Sequence, residues 1–214
     1  MSRRAEVLAE MGISPVWRLK STPAPPEIAA AGWIPLKAAV SGCVKCGLHK
    51  TRTQTVFGVG DENADWMLIG EAPGAEEDRL GDPFVGQAGK LLDNMLAAIG
   101  LDRRNNVYIA NVLKCRPPGN RNPEPDEVAK CTPFLKRQIA LIQPKLIIAM
   151  GRFAAQTLLE TSASIASLRG RLHRYAGVPL IVTYHPAYLL RTPSAKREVW
   201  EDMKRVRAIL NGDD

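Results

Sequence analysis

Four short apolar runs, each followed by a helical pattern, set the main constraint on this chain. They are "ADWMLIG" (64–70), "NVYIANVL" (106–113), "KLIIAMG" (145–151) and "VPLIVTYHP" (178–186). Each is apolar at successive positions, which suits strands covered on both faces. The segments between them read as helices. In "AGKLLDNMLAAIG" (88–100), Leu91, Leu92, Met95, Leu96 and Ile99 fall at helical spacing, and Gly100 is a stop signal. "PDEVAKCTPFLKRQIALIQP" (125–144) is helical, with Pro133 expected to kink or divide it. "RFAAQTLLE" is a third helix. Thr192 is placed to N-cap a last one, with Pro193 at its first position and Val199, Met203, Val206 and Leu210 as its apolar stripe. This alternation predicts a three-layer α/β/α sandwich around a central, mainly parallel four-stranded sheet. In such sheets ligands bind beyond the carboxyl ends of the strands. Here those ends read "GEAPG", "NVLKC", "GRF" and "YHPAYLL", so the chemically distinctive residues gather at one edge.

The segment "STPAPPEIAAAG" (21–32) has the composition of a linker. Residues 1–36 are therefore expected to form an extension, with a short helix within 1–20, and residues 37–214 the functional domain. No apolar run approaches the roughly 20 residues that cross a bilayer. The first residues, "MSRRAEVLAEMG", are too polar for a signal peptide, so a cytoplasmic protein is expected. Lys and Arg number 29 against 22 Asp and Glu, a net charge of +7 that suits a polyanionic partner.

The four cysteines form one tight pair, Cys43 and Cys46, and a distant pair, Cys115 and Cys131, with fifteen residues between the latter two. A cytosolic chain of this size rarely uses disulfides, so the set reads as a metal or cluster site rather than as buried thiols. Zinc and iron–sulfur both accept four thiolates, and the spacing does not choose between them. At the strand ends, Asn111 alone would read as a turn residue and His185, before Pro186, as a loop residue. An acid, an amide, an aromatic ring and an imidazole meeting at one rim are harder to dismiss. "GEAPG" is no phosphate loop, since the P-loop and dinucleotide patterns are both absent and three acids follow.

The series "GEAPGAEED", "GDPFVGQAGKLLD", "VYIANVLKCRPPGNRNPEPDE" and "YHPAYLLR" closely resembles the family-4 uracil-DNA glycosylases, the iron–sulfur branch of that superfamily. The resemblance runs from about Cys43 to the C-terminal helix. It implies a [4Fe–4S] cluster held by Cys43, Cys46, Cys115 and Cys131. It implies that Phe84 stacks on uracil, that Asn111 reads its edge, that His185 faces its O2, and that Gly70, Glu71, Ala72 and Glu77 line the pocket. Cluster-free relatives carry an Asp where this chain has Ala72, so Glu71 is the expected water-positioning carboxylate.

Excision requires extruding a stacked base. The segment "PAYLLR" is expected to contact DNA through Pro186, Tyr188, Leu189, Leu190 and Arg191, with at least one leucine as a wedge and Arg191 on a phosphate. The acids would serve the sugar cation and the water. Arg169, Arg171, Arg174, Arg191, Lys196 and Arg197 would serve phosphates. The expected substrate is uracil in single- or double-stranded DNA, acted on by a monomer that releases free uracil. The alternatives are a family-5-like enzyme of broader range and a non-enzymatic iron–sulfur DNA-binding module.

Overall fold

A computed structural model of the chain describes residues 27–211 and, ahead of them, residues 7 and 10–12; the side chains of Leu210 and Asn211 lie outside the description. The helix expected within residues 1–20 lies largely outside the described residues. Helix α1 (Trp33–Ser41) begins the packed body. It crosses the expected boundary between 36 and 37: Leu36 and Val40 are buried, and Arg137 Nε donates to the carbonyl of Ala31.

The sheet has six strands: β1 (Val59–Gly60), β2 (Trp66–Gly70), β3 (Val107–Asn111), β4 (Leu146–Met150), β5 (Leu172–Tyr175) and β6 (Val178–Thr183), in the order β1-β3-β2-β4-β6-β5. The four expected strands form its parallel centre. Two antiparallel edge strands, β1 on β3 and β5 on β6, extend it beyond the four-stranded expectation. β1 has two residues, and β5 ("LHRY") alternates exposed with half-buried positions. Neither has the continuous apolar run that marks a central strand.

The remaining helices are α2 (Ala75–Leu80), α3 (Gln87–Ala98), α4 (Pro125–Ile142), α5 (Arg152–Leu159), α6 (Ile165–Leu168), α7 (Pro186–Arg191) and α8 (Lys196–Asn211). Alternate strand residues feed two cores, because side chains of a strand alternate between its faces. Met67, Ile69, Ala110, Ile147 and Val182 pack with α1, α4, α5 and α6. Leu68, Val107, Ile109, Ile148 and Ile181 pack with α3, α7 and α8. Burial on both faces explains why each central run is apolar throughout.

Pro133 lies inside α4 without dividing it; a capping box of Glu124 and Glu127 starts that helix. Thr192 makes no side-chain cap. A 3-10 turn, Pro193–Ala195, comes between it and α8. Val199, Met203 and Val206 are buried as the stripe requires.

Candidate active site

The segments after β2, β3 and β6 meet in one cleft of about 420 Å³, lined by Glu71, Ala72, Gly74, Glu77, Phe84, Asn111, Asn120, Arg121, His185, Tyr188 and Arg191 among others; the expected contribution of "GRF", after β4, is not among its lining residues. Register brings Gly70 directly beside Asn111. A Cβ on Gly70 would collide with Asn111 Oδ1 and stand 2.6 Å from Phe84 Cζ, so only glycine lets the amide and the ring approach the strand end together. Asn111 is 2 % exposed, and its Oδ1 is a buried acceptor with no partner among the described residues.

His185 follows β6 and is the N-cap of α7. Its Nδ1 accepts from the Ala187 amide at 3.1 Å, which places the ring proton on Nε2. Burial, aided by the positive charge of Arg191 and opposed by Glu77, pushes its pKa down to about 4. The ring is therefore neutral at pH 7. It stacks on Phe84 with centroids 5.4 Å apart. Glu71, the first residue after β2, has its pKa raised by burial, with Arg152 opposing the shift.

Phe84 is 5 % exposed and has a left-handed backbone, φ 55°. Of the three acids of "EED", two hold loop amides and one pairs within its own helix. Glu77 lines the cleft, but its Oε1 accepts from the amides of Val85 and Gly86 at 3.0 and 3.1 Å. Both oxygens of buried Asp78 accept from the Thr53 amide, and Glu76 pairs with Arg79. Glu71 lines the cleft as well, and of the two carboxylates there Glu77 is the one tied to backbone amides.

Within α7 the expected DNA contacts divide. Leu189 is 1 % exposed in the core and Pro186 is buried, so neither is available to DNA; their side chains fix α7 against the sheet. Leu190 is 47 % exposed, and Tyr188 and Arg191 line the cleft. Arg169 is likewise withdrawn from phosphate binding. Its guanidinium binds Asp202 at 2.8 Å, pairs with Glu198, and lies over the Tyr184 ring.

Cys43, Cys46, Cys115 and Cys131 line a second, smaller chamber, together with Leu48, Leu113, Phe134 and the cations Lys45, Arg52, Lys114 and Lys130. Arg52 donates to Cys115 Sγ at 3.1 Å and the Lys114 amide to Cys131 Sγ at 3.2 Å. Burial raises the pKa of Cys115 and pushes that of Cys131 up to about 11. Among the described residues, no three His, Cys, Asp or Glu side chains close on the position of a single ion. Fully buried Lys114 joins the two sites: its Nζ donates to the Asn111 carbonyl at 2.8 Å and to Gln138 Oε1 at 2.6 Å. Burial lowers its pKa to about 8. The sequence reading passed over Lys114 and Gln138. Lys114 alone left a signal, a charge directly after an apolar strand run.

A neutral imidazole, an aromatic ring, an unpartnered amide oxygen and two carboxylates, one of them tied to backbone amides, define a pocket for a flat, hydrogen-bonding ring at the edge of a parallel sheet. The family profile described as Uracil DNA glycosylase superfamily matches residues 57–204, and the chain belongs to that superfamily of N-glycosyl hydrolases. It is 47% identical over 175 residues to a Type-4 uracil-DNA glycosylase of Archaeoglobus fulgidus, covering 78% of this chain and 87% of the relative. A Type-4 uracil-DNA glycosylase of Sulfurisphaera tokodaii is 44% identical over 81% of this chain and 83% of its own length. A Type-5 uracil-DNA glycosylase of Pyrobaculum aerophilum is less similar, 32% identical over 61% of this chain and 64% of its own. Among the described residues no helix is long and apolar enough to cross a membrane.

Proposed function

We propose that this chain excises uracil from DNA, hydrolysing the N-glycosidic bond of an extruded deoxyuridine and leaving an abasic site. The observation that carries this reading is the unpartnered Asn111 Oδ1. A buried acceptor without a donor is costly and calls for one from a ligand. Uracil N3–H supplies that donor, and the Asn111 amide nitrogen then faces O4. Cytosine presents the reverse pair, leaving acceptor against acceptor and donor against donor.

Phe84 offers its ring to the base. His185 donates from Nε2–H to O2. Negative charge grows on O2 as C1′–N1 breaks, so this donor gains most in the transition state. Glu71 orients the attacking water and favours the cationic sugar. Leu190 fills the gap in the stack, with Tyr188 and Arg191 on the adjoining strand.

The four cysteines hold a [4Fe–4S] cluster in this reading. Four sulfurs around one chamber, not closed on a single-ion position, suit a polynuclear group, and the nearby cations suit the charge of four thiolates. Bound metal would also ionise thiols that burial otherwise keeps protonated. The cluster would supply a cross-link between the segment at Cys43, the continuation of β3 and helix α4. In this reading the protein acts as a monomer. Four unpaired cysteines fit a reducing, cytoplasmic compartment.

The test is incubation with a uracil-containing oligonucleotide, single- or double-stranded, followed by alkaline cleavage. Strand breaks at uracil and none at cytosine are expected. An intact strand after prolonged incubation with iron-loaded protein overturns the reading.

A further inference from the structure

The left-handed backbone of Phe84 requires an explanation that the cleft alone does not give. Bulky residues at positive φ are strained and persist where surrounding contacts over-determine them. Three features of the surroundings do so here, all acting on the backbone at or next to Phe84. Glu77 takes the amides of Val85 and Gly86. Gly89, in the first turn of α3, leaves space that a Cβ would fill by overlapping the Phe84 carbonyl. The third is Arg103, in the loop between α3 and β3. Its Nη2 donates to the Phe84 carbonyl at 2.8 Å and its Nη1 to the Pro83 carbonyl at 3.2 Å. Its Nε donates to Asp93 Oδ1 at 2.8 Å, and the pair is fixed further by Nη2 at 2.7 Å from the same carboxylate.

We propose that Arg103 is a positioning residue for base recognition: anchored by Asp93 on α3, its guanidinium grips the carbonyls of Pro83 and Phe84 and holds the Phe84 ring in the orientation that meets the base. The proposal rests on the reading of Phe84 as the stacking face for uracil. The side chain suits the task. A guanidinium is a planar fork of five donors, so it can hold two successive carbonyls and a carboxylate at once. Arg103 is not among the residues lining the cleft, so its effect on the base passes through the loop. Glu77 fixes the amides after Phe84, and Arg103 fixes the carbonyls at and before it. The two grips act on adjacent peptide units and together leave the φ of Phe84 little freedom.

The test is the inhibition constant of free uracil against excision, which reports the base-binding face without the phosphate contacts that dominate DNA affinity. Arg103→Ala is expected to raise that constant by about 5- to 150-fold, the worth of one base–aromatic stack. Phe84→Ala should raise it by a similar factor, and the double variant by no more than Phe84→Ala alone. Arg103→Lys, with one nitrogen in place of a fork, should fall between wild type and Arg103→Ala. Affinity for uracil-free duplex DNA should not change. Should Arg103→Ala fail to fold, Asp93→Asn removes the anchor from a half-exposed position and should raise the constant in the same direction by a smaller factor. An unchanged constant in folded Arg103→Ala or Asp93→Asn protein overturns the proposal, as do losses that multiply in the double variant. A wild-type chain that does not excise uracil overturns the proposed function instead.

Discussion

The cleft and the cysteine chamber lie at either end of the same five residues, Asn111 to Cys115, and they treat buried polar atoms in opposite ways. At the cleft, Asn111 Oδ1 is buried without a partner. At the chamber, Cys115 and Cys131 each receive a donor, from Arg52 and from the Lys114 amide. An unmet acceptor raises the energy of the free protein and is relieved when the right ligand arrives. A met one holds the protein together with or without substrate. The cleft thus leaves an acceptor for a ligand, whereas the buried sulfurs of the chamber are held by donors within the fold. Lys114 ties the two through its bonds to the Asn111 carbonyl and Gln138, and Gln138 is itself fixed by the carbonyl of Phe57.

This contrast can be broken most directly at His185. The variant His185→Ala is expected to slow single-turnover excision by about 10²–10³-fold, the loss typical of one oxyanion donor. Affinity for uracil-containing DNA should stay near wild type, since phosphate contacts dominate it. Lost iron or an early melt with a normal saturated rate would place His185 on the structural side of the contrast.

The opposite signature is expected at the chamber. Wild-type protein should be brown and carry about four irons per chain. In Cys131→Ala the iron content should fall, and the melting temperature with it by roughly 10 °C. Stoichiometric zinc in place of iron, or a variant that loses activity while keeping metal and stability, would contradict the division.

A smaller effect concerns pH. Burial holds the Glu71 pKa above 4.5, so this carboxylate is protonated at a higher pH than an ordinary one. If its charged form orients water, kcat/KM rises with pH through that raised pKa and then levels, falling about tenfold per unit on the acid side. His185, pushed down to about 4, is neutral well above that pH. Glu71→Gln should be slower on the plateau and lack this acid limb. An acid limb retained in Glu71→Gln would assign it to another group.

The smallest difference separates two neighbours. Leu190→Ala should slow excision from duplex DNA a few-fold and leave single-stranded substrate nearly unaffected, because only the duplex must be opened. Leu189→Ala should instead destabilise the fold by about 2–5 kcal/mol, as buried leucine truncations do. Equal effects of Leu190→Ala on both substrates would remove it from the wedge role.

The alternation that builds the parallel sheet, the four cysteines and the residues at the strand ends are all local properties of the chain. These follow from local periodicity and from the rule that strand ends of such a sheet share one edge, and both can be read along the chain. The tertiary structure decided which partner each polar group takes. Glu71 and Glu77 look alike in "GEAPGAEED", yet the fold turns Glu77 onto the Val85 and Gly86 amides and leaves Glu71 at the cleft. Leu189 and Leu190 are chemically identical, and the packing of α7 buries one and exposes the other. The edge strands β1 and β5 pair with only one neighbour each, so they carry no continuous apolar run and left no signal. Arg103 lies nineteen residues beyond the Phe84 whose carbonyl it holds. Hydrogen bonds and ion pairs of that kind depend on distances across the folded molecule, which sequence spacing does not encode.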